Sequence, residues 1–395
     1  MTGLIYQFVY GSGDTANYFE GGKGITHLLF TDFDQWLVFM GSKSGEALAP
    51  NVQFHVFLDS QSFLIQKIVS ILNIFTFSTY LNSCLFFALF SFWCFWAFFN
   101  TLNSLYDSQY KNIFAISLFF IPSVFFWGSG ISKDTLCIAG LALFFSSFLR
   151  LFYKKEYRKF IGHSMLICGS LIILINIKVY IFMCVMFSLG ILLFLKSFSV
   201  FRSRFLNIIF TFSFTLLVSL VLFMARSSIT EFIEVNSVEN LTKTAKITYE
   251  YIQSVSDIDG GSSYDLGKID YTDPISLVSK IPAALNVTLF RPYLWESRKV
   301  LLLISSIESF VLLILTIIVL LKVGPRRFFV ILFQNKILLF FLLFALPFAI
   351  AVGFSTGNFG TLARYKIPCL PFYLMSILFI YKNDLISKVA KNLSL

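Results

Sequence analysis

Charge is scarce in this chain. Only 13% of its 395 residues are Asp, Glu, Lys or Arg, about half the share of a soluble domain. Acids are the scarcer sign, at 21 against 31 bases. Polar side chains are therefore too few to cover the 57% that are hydrophobic, 51 of them phenylalanine. An ordinary cytosolic enzyme, a disordered chain and a collagen-like repeat are excluded. Histidine is nearly absent, and His27, His55 and His163 are scattered, so no zinc site is expected. The six cysteines (Cys84, Cys94, Cys137, Cys168, Cys184 and Cys369) form no CxxC pair and lie in or beside apolar runs. They read as small packing residues. No P-loop, Rossmann fingerprint or HExxH is present, which leaves cytosolic nucleotide use and zinc proteolysis without support. The formal charge of +10 is not gathered into a basic stripe with exposed aromatics, so nucleic acid is not an expected partner.

What is present is a series of long apolar runs. A hydrocarbon core about 30 Å thick needs ~20 helical residues. Nine spans are predicted, at 81–99, 113–129, 135–152, 161–176, 179–195, 205–225, 299–321, 336–353 and 367–381. The expected fold is an all-α polytopic membrane protein, and one further N-terminal span is compatible with the layout. Four basic tracts fall between the runs: Arg150 to Lys159, Lys196 to Arg204, Lys322 to Lys336, and Lys382 to Lys391. Even numbers of spans separate them, so the positive-inside rule puts all four in the cytoplasm. The N terminus is then outside and the C terminus inside.

The acids follow the opposite pattern. Sixteen of the 21 lie in residues 1–59 and 226–298, both on the predicted outer face. Residues 61–78 carry Ser62, Gln66, Ser70 and Asn73 at helical spacing, opposite Phe63, Leu64, Ile68, Ile71, Leu72 and Phe75. That pattern predicts an amphipathic helix lying in the interface. Within 226–298, helical pattern is expected over 237–256, and Asp273-Pro274 marks a helix start. The expected organisation is an outer acidic loop with its interfacial helix (1–80), membrane helices (81–225), a large outer loop (226–298), membrane helices (299–381) and a cytoplasmic tail (382–395). No signal peptide or internal repeat is seen.

Several constellations could carry chemistry, most of them beside a plainer reading. Gly11-Ser12-Gly13-Asp14 leads through Tyr18 to Gly21-Gly22-Lys23-Gly24. An ionised Asp14 there can take a proton from an acceptor hydroxyl, or the segment is a solvated loop. Asp32 and Asp34, two apart, could share a divalent cation; no other cofactor and no metal-ligand set is indicated. In Gly128-Ser129-Gly130-Ile131-Ser132-Lys133-Asp134, Lys133 is either a point charge for phosphate or the partner of Asp134. Arg291 is either a bidentate phosphate ligand or the partner of Glu296, which could instead pair with Arg298, with Tyr293 and Trp295 as an aromatic belt. Arg364 and Lys366, in the loop that ends at Pro368, place cations on the outer side against the general trend. Lys178 breaks the same trend. An anionic ligand, or ordinary headgroup contact, accounts for that breach.

These residues resemble a family. Gly13-Asp14 with Tyr18-Phe19, Phe126-Trp127-Gly128-Ser129-Gly130 with Lys133-Asp134, Arg291-Pro292 with Trp295-Glu296, and Arg364-Tyr365-Lys366 with Pro368 and Pro371 are similar to features of the C-type membrane glycosyltransferases (GT-C) and the related bacterial cell-surface polysaccharide polymerases. The resemblance implies a polyprenyl-phosphate-linked sugar donor, a glycan acceptor, and transfer at the outer face of a bacterial plasma membrane. It implies Asp14 as catalytic base. It implies Tyr18, Lys133, Asp134, Lys178, Arg291, Glu296, Arg364 and Lys366 as the substrate-binding set, with the cations opposing charge on the leaving phosphate. A polymerase joining whole lipid-linked repeats is the neighbouring reading. A lipid or solute transporter is the reading from another class, although repeated halves and midplane polar groups are not evident.

Overall fold

The computed structural model describes residues 2–11, 13–194, 274–297 and 300–393, together with Ile247, Tyr264 and Leu266. Among these residues every regular element is helical. In chain order the α-helices are α1 (Thr2–Ile5), α2 (Asp14–Thr31), α3 (Phe33–Gly41), α4 (Ser60–Thr76), α5 (Tyr80–Leu105), α6 (Lys111–Phe119), α7 (Pro122–Trp127), α8 (Lys133–Phe152), α9 (Phe160–Ile177) and α10 (Val179–Phe194). They continue with α11 (Pro274–Phe290), α12 (Val300–Val323), α13 (Pro325–Gln334), α14 (Lys336–Ser355), α15 (Phe359–Tyr365) and α16 (Leu370–Leu393).

Five helical stretches are long and apolar enough to cross a membrane: α5, α8, α9 with the turn before it, α12 and α14. The count becomes six if α15 and α16, bent by 69° at the break between them, form one span. Two of the nine expected spans therefore take another form. Residues 113–129 are two short helices, because Pro122 starts α7 and holds Ile121 in an extended conformation (φ −83°, ψ 115°). Residues 179–195 form α10, which has 16 residues and falls short of a full crossing. The expected span at 205–225 and the helix at 237–256 lie outside the described residues.

Two compact units emerge. The first comprises Met1–Asp107, Leu118–Leu149 and Lys159–Phe182; the second comprises Ser108–Ser117, Arg150–Arg158 and Met183–Leu395.

In the first unit, residues 1–59 are not an acidic loop but a largely helical layer. Gly21 and Gly22 lie inside α2, not in a flexible turn, and press against α4. A Cβ on Gly21 would collide with Gln66, and one on Gly22 with Val69. Small residues thus let the two helices approach closely. Gln66 is fully buried at this crossing. Its Oε1 accepts from the Phe57 amide at 3.1 Å, and its Nε2 donates to the carbonyls of His55 (3.0 Å) and Asn17 (3.3 Å). Thr26 of α2 donates to the Ser70 carbonyl at 3.0 Å. Lys67 donates to the carbonyls of Met40 and Ser42 at the C-terminal end of α3, where a cation suits the helix dipole. Burial lowers its pKa from the ordinary lysine value.

The amphipathic helix at 61–78 is present as α4, but its polar stripe faces inward. Ser62, Gln66, Ser70 and Asn73 are buried, while Ile71, Ile74 and Phe75 are exposed. A helix in lipid shows this inversion, because every polar group must find a partner inside the protein. The same inversion marks α5, whose Leu85, Phe86, Leu89, Phe92, Trp93 and Trp96 form an exposed stripe. Its inner side meets α8 through Phe98 against Phe145 (ring centroids 6.1 Å) and a Thr101–Ser146 hydroxyl bond of 2.9 Å.

In the second unit α11 packs on α14. A Cβ on Gly353 would strike the Ala284 backbone, and Thr288 donates to the Ala349 carbonyl at 2.7 Å. Phe341 and Phe344 of α14 meet Phe372 of α16 edge-on. Along α12, Ile304, Ile307, Val311, Ile314 and Ile317 are exposed, whereas Ser305, Ser306, Glu308 and Ser309 are buried. Lipid on one side and polar pairing on the other again explain the arrangement.

Candidate functional site

The first group of sequence-selected residues lies in the first unit. Gly13 adopts φ 135°, a conformation L side chains rarely take, and α2 begins directly after it at Asp14. The exposed Asp14 carboxylate therefore sits in the first helical turn, where the dipole favours negative charge. Tyr18 is one turn further along the same face. It is only 1% exposed, so it positions neighbours and does not offer a free surface. Its hydroxyl donates to Ser62 Oγ at 3.5 Å, and its ring lies 4.9 Å from Phe57.

Ser62 is also reached by Lys133, whose Nζ donates to Ser62 Oγ at 2.9 Å and stands 3.7 Å from Asp59 Oδ1. Asp59 caps α4 by accepting from the Ser62 amide at 2.7 Å. Asp59 and Ser62 were not selected from the sequence, yet Asp59-Ser60-Gln61-Ser62 before an apolar run is a helix-start signal. Lys133 and Asp134 do not pair with each other, because adjacent residues on a helix point to different sides. Asp134 instead meets Lys178 at 2.5 Å, with side chains 1% and 8% exposed. Lys178, the isolated outer cation of the sequence pattern, is thus half of a buried ion pair.

The second group lies in the second unit. Arg291 follows α11. Its Nε donates to both Glu296 oxygens, at 3.1 and 3.2 Å, and its Nη2 pairs with Glu296 Oε1. Glu296 also accepts from the Tyr293 amide at 2.7 Å. The guanidinium lies 4.9 Å from the centre of the Phe359 ring and 5.7 Å from those of Tyr264 and Tyr293, within cation–π range. Tyr264 is anchored by a 2.6 Å bond to Thr356 Oγ1. Lys366 is fully buried. Its Nζ donates to Ser309 Oγ at 2.6 Å and to the Arg291 carbonyl at 3.3 Å. Arg364 ends the short helix α15 and is half-buried. Trp295 stacks on Tyr293 at 4.9 Å and is largely exposed.

Two sets of partners follow. In the first unit Tyr18, Lys133 and the capping Asp59 meet at Ser62, while Asp14 opens α2 with its carboxylate exposed. In the second, Arg291 and Lys366 are held by protein groups and tie the C-terminal ends of α11 and α15 to Ser309, within α12. Asp32, one of the two acids considered for a cation, caps α3 by accepting from the Gln35 amide at 3.0 Å. Among the described residues no group of three or more His, Cys, Asp or Glu gathers as a metal site would require.

The helices and their inverted polarity define an integral membrane protein of the polytopic α-helical class. No family model, no curated protein and no solved structure matches the chain.

Proposed function

We propose that this chain is an integral-membrane glycosyltransferase that takes its sugar from a polyprenyl-phosphate-linked donor. The site faces the extracytoplasmic side of a bacterial plasma membrane, with the N terminus outside and the C terminus inside. The observation that supports the reading most is the arrangement of groups in the first unit. Asp14 opens α2, and one turn further on Tyr18 bonds to Ser62, which Lys133 also reaches.

In this reading the acceptor hydroxyl gives its proton to the Asp14 carboxylate as its oxygen bonds to the anomeric carbon. The bond from that carbon to the phosphate oxygen breaks, and its electron pair stays on the phosphate. Lys133 opposes the growing phosphate charge. Tyr18 and Ser62 position Lys133, and Asp59 limits its motion. Arg291, Glu296 and Lys366 hold the second unit's loop in place.

The test begins with single-cysteine labelling of positions 14 and 133 in intact cells, on a cysteine-free background. Both are expected to react with a membrane-impermeant reagent from outside. Transfer from a radiolabelled polyprenyl-phosphate sugar is then measured for Asp14→Asn and Lys133→Met. A fall of 100-fold or more for Asp14→Asn, with donor binding retained, is expected of a general base. Cytoplasmic labelling of position 14, or full turnover in Asp14→Asn, refutes the reading.

A further inference from the structure

The second unit has a feature that the glycosyltransferase reading does not use. Helix α13 (Pro325–Gln334) joins α12 to α14, two helices able to cross a membrane. It is too short to cross, so it lies where the two crossings end. Its Ile331 and Leu332 are buried, and its Phe329, Val330 and Phe333 are exposed. Arg326, Phe329, Val330 and Phe333 recur at helical spacing and share one face. Phe329 and Phe333 stack at 6.4 Å. Leu321, at the end of α12, is also exposed.

Cations surround this apolar face. Lys322 precedes it, Arg326 and Arg327 open it, and Lys336 follows it. The C-terminal part of α16 adds Lys382 and Lys388. Beyond Glu308 the sequence has a single acid, Asp384. That buried carboxylate is taken by Arg327 (2.9 Å) and Lys388 (2.6 Å) together. Arg326 is exposed and has no partner among the described residues. A net positive rim therefore encloses an uncovered apolar stripe at the level where spans end.

We infer that α13 is an in-plane anchor that binds anionic phospholipid. Phe329, Val330 and Phe333 enter the acyl boundary, and Lys322 and Arg326 hold the phosphate-bearing headgroups. Charge complementarity favours an anionic bilayer over a protein partner. Amphipathic helices with basic rims behave in this way, and each cation near an anionic surface contributes about fivefold in local preference. The same forces aim α12 and α14 and fix the depth of the break between them.

The experiment places an environment-sensitive fluorophore on Val330→Cys in the full chain, on a cysteine-free background, with Phe333→Cys as a second position. The protein is reconstituted in phosphatidylcholine vesicles that carry either brominated phosphatidylcholine or brominated phosphatidylglycerol at equal mole fraction. Blue-shifted emission and stronger quenching by the brominated phosphatidylglycerol are expected. The excess should fall severalfold in Lys322→Gln/Arg326→Gln and with added salt. Quenching by aqueous iodide instead of lipid places the helix in water and overturns the inference. Equal quenching by both lipids overturns headgroup recognition. Protection from both quenchers means that protein covers the face, which overturns it as well.

Discussion

Consider the removal of one charge from the buried pair of Asp134 and Lys178. The two side chains are 1% and 8% exposed and meet at 2.5 Å. Lys178→Met leaves a carboxylate in a site closed to water, and Asp134→Asn leaves an ammonium there. Breaking a buried pair from one side costs about 3–5 kcal/mol. In a unit of 150–250 residues, each kcal/mol moves the midpoint by roughly 2–4 °C, so each single variant should melt about 6–20 °C lower. Asp134→Leu/Lys178→Met removes both charges and should return to within about 2 kcal/mol of the native protein. Cys137 provides a native reporter: it is fully buried and less than one turn from Asp134. Its modification by a thiol-reactive fluorophore on heating in detergent follows the loss of structure. The coupling energy is the double-variant effect minus the two single effects. Singles that shift by less than about 2 °C, or a double equal to their sum, would refute the buried-pair account.

Three other perturbations test the packing of the two units. Gln66→Leu should destabilise the first unit by about 1–3 kcal/mol for each group left unpaired, read by the same thermal assay, because the Phe57 amide and the His55 carbonyl lose their partner. Gly353→Val should lower expression and melting temperature of the second unit, since its side chain meets the Ala284 backbone; overpacking of this kind costs about 1–3 kcal/mol. Arg291→Lys keeps the charge but loses the planar fork that meets both Glu296 oxygens. Its midpoint should fall measurably in differential scanning fluorimetry, while Glu296→Gln on the Arg291→Lys background should add little further.

The membrane class and the main helices were legible because lipid imposes a composition and a length that local sequence cannot hide. Val300–Val323 and Lys336–Ser355 fall within a few residues of the apolar runs that predict them. The N-terminal layer was not legible for the opposite reason. Gly21, Gly22 and Gly24 read as turn residues, since glycine weakens an isolated helix by roughly 1 kcal/mol. Here the close crossing with α4 outweighs that penalty, and local propensity carries no record of a distant partner. Lys133 and Asp134 show the same limit. Adjacent opposite charges suggest a pair, but only the fold brings Lys178 to one and Asp59 to the other. The helix start at Asp59, by contrast, was written locally and could have been taken up.

The direction of α4 shows why hydrophobic pattern alone left its setting open. Periodicity establishes that one face is polar and the other apolar; it does not say which face meets protein. In water the apolar face turns inward. Here Gln66 and Ser70 take the partners that α2 and the preceding loop provide, and Ile71, Ile74 and Phe75 are left outward. Glu20, Lys23 and His27 of α2 are exposed in turn. Polarity therefore reverses twice across two helices, from charged on one side of α2, through a polar seam, to apolar on the outer side of α4. Such a layering fits a pair lying along a membrane surface, with α2 toward water and α4 toward lipid. A crossing α4 would bring the charged face of α2 against hydrocarbon, at a cost of about 2.5–3.5 kcal/mol for each charge at mid-depth. The surface placement avoids that cost, and it keeps Asp14, at the start of α2, within reach of water.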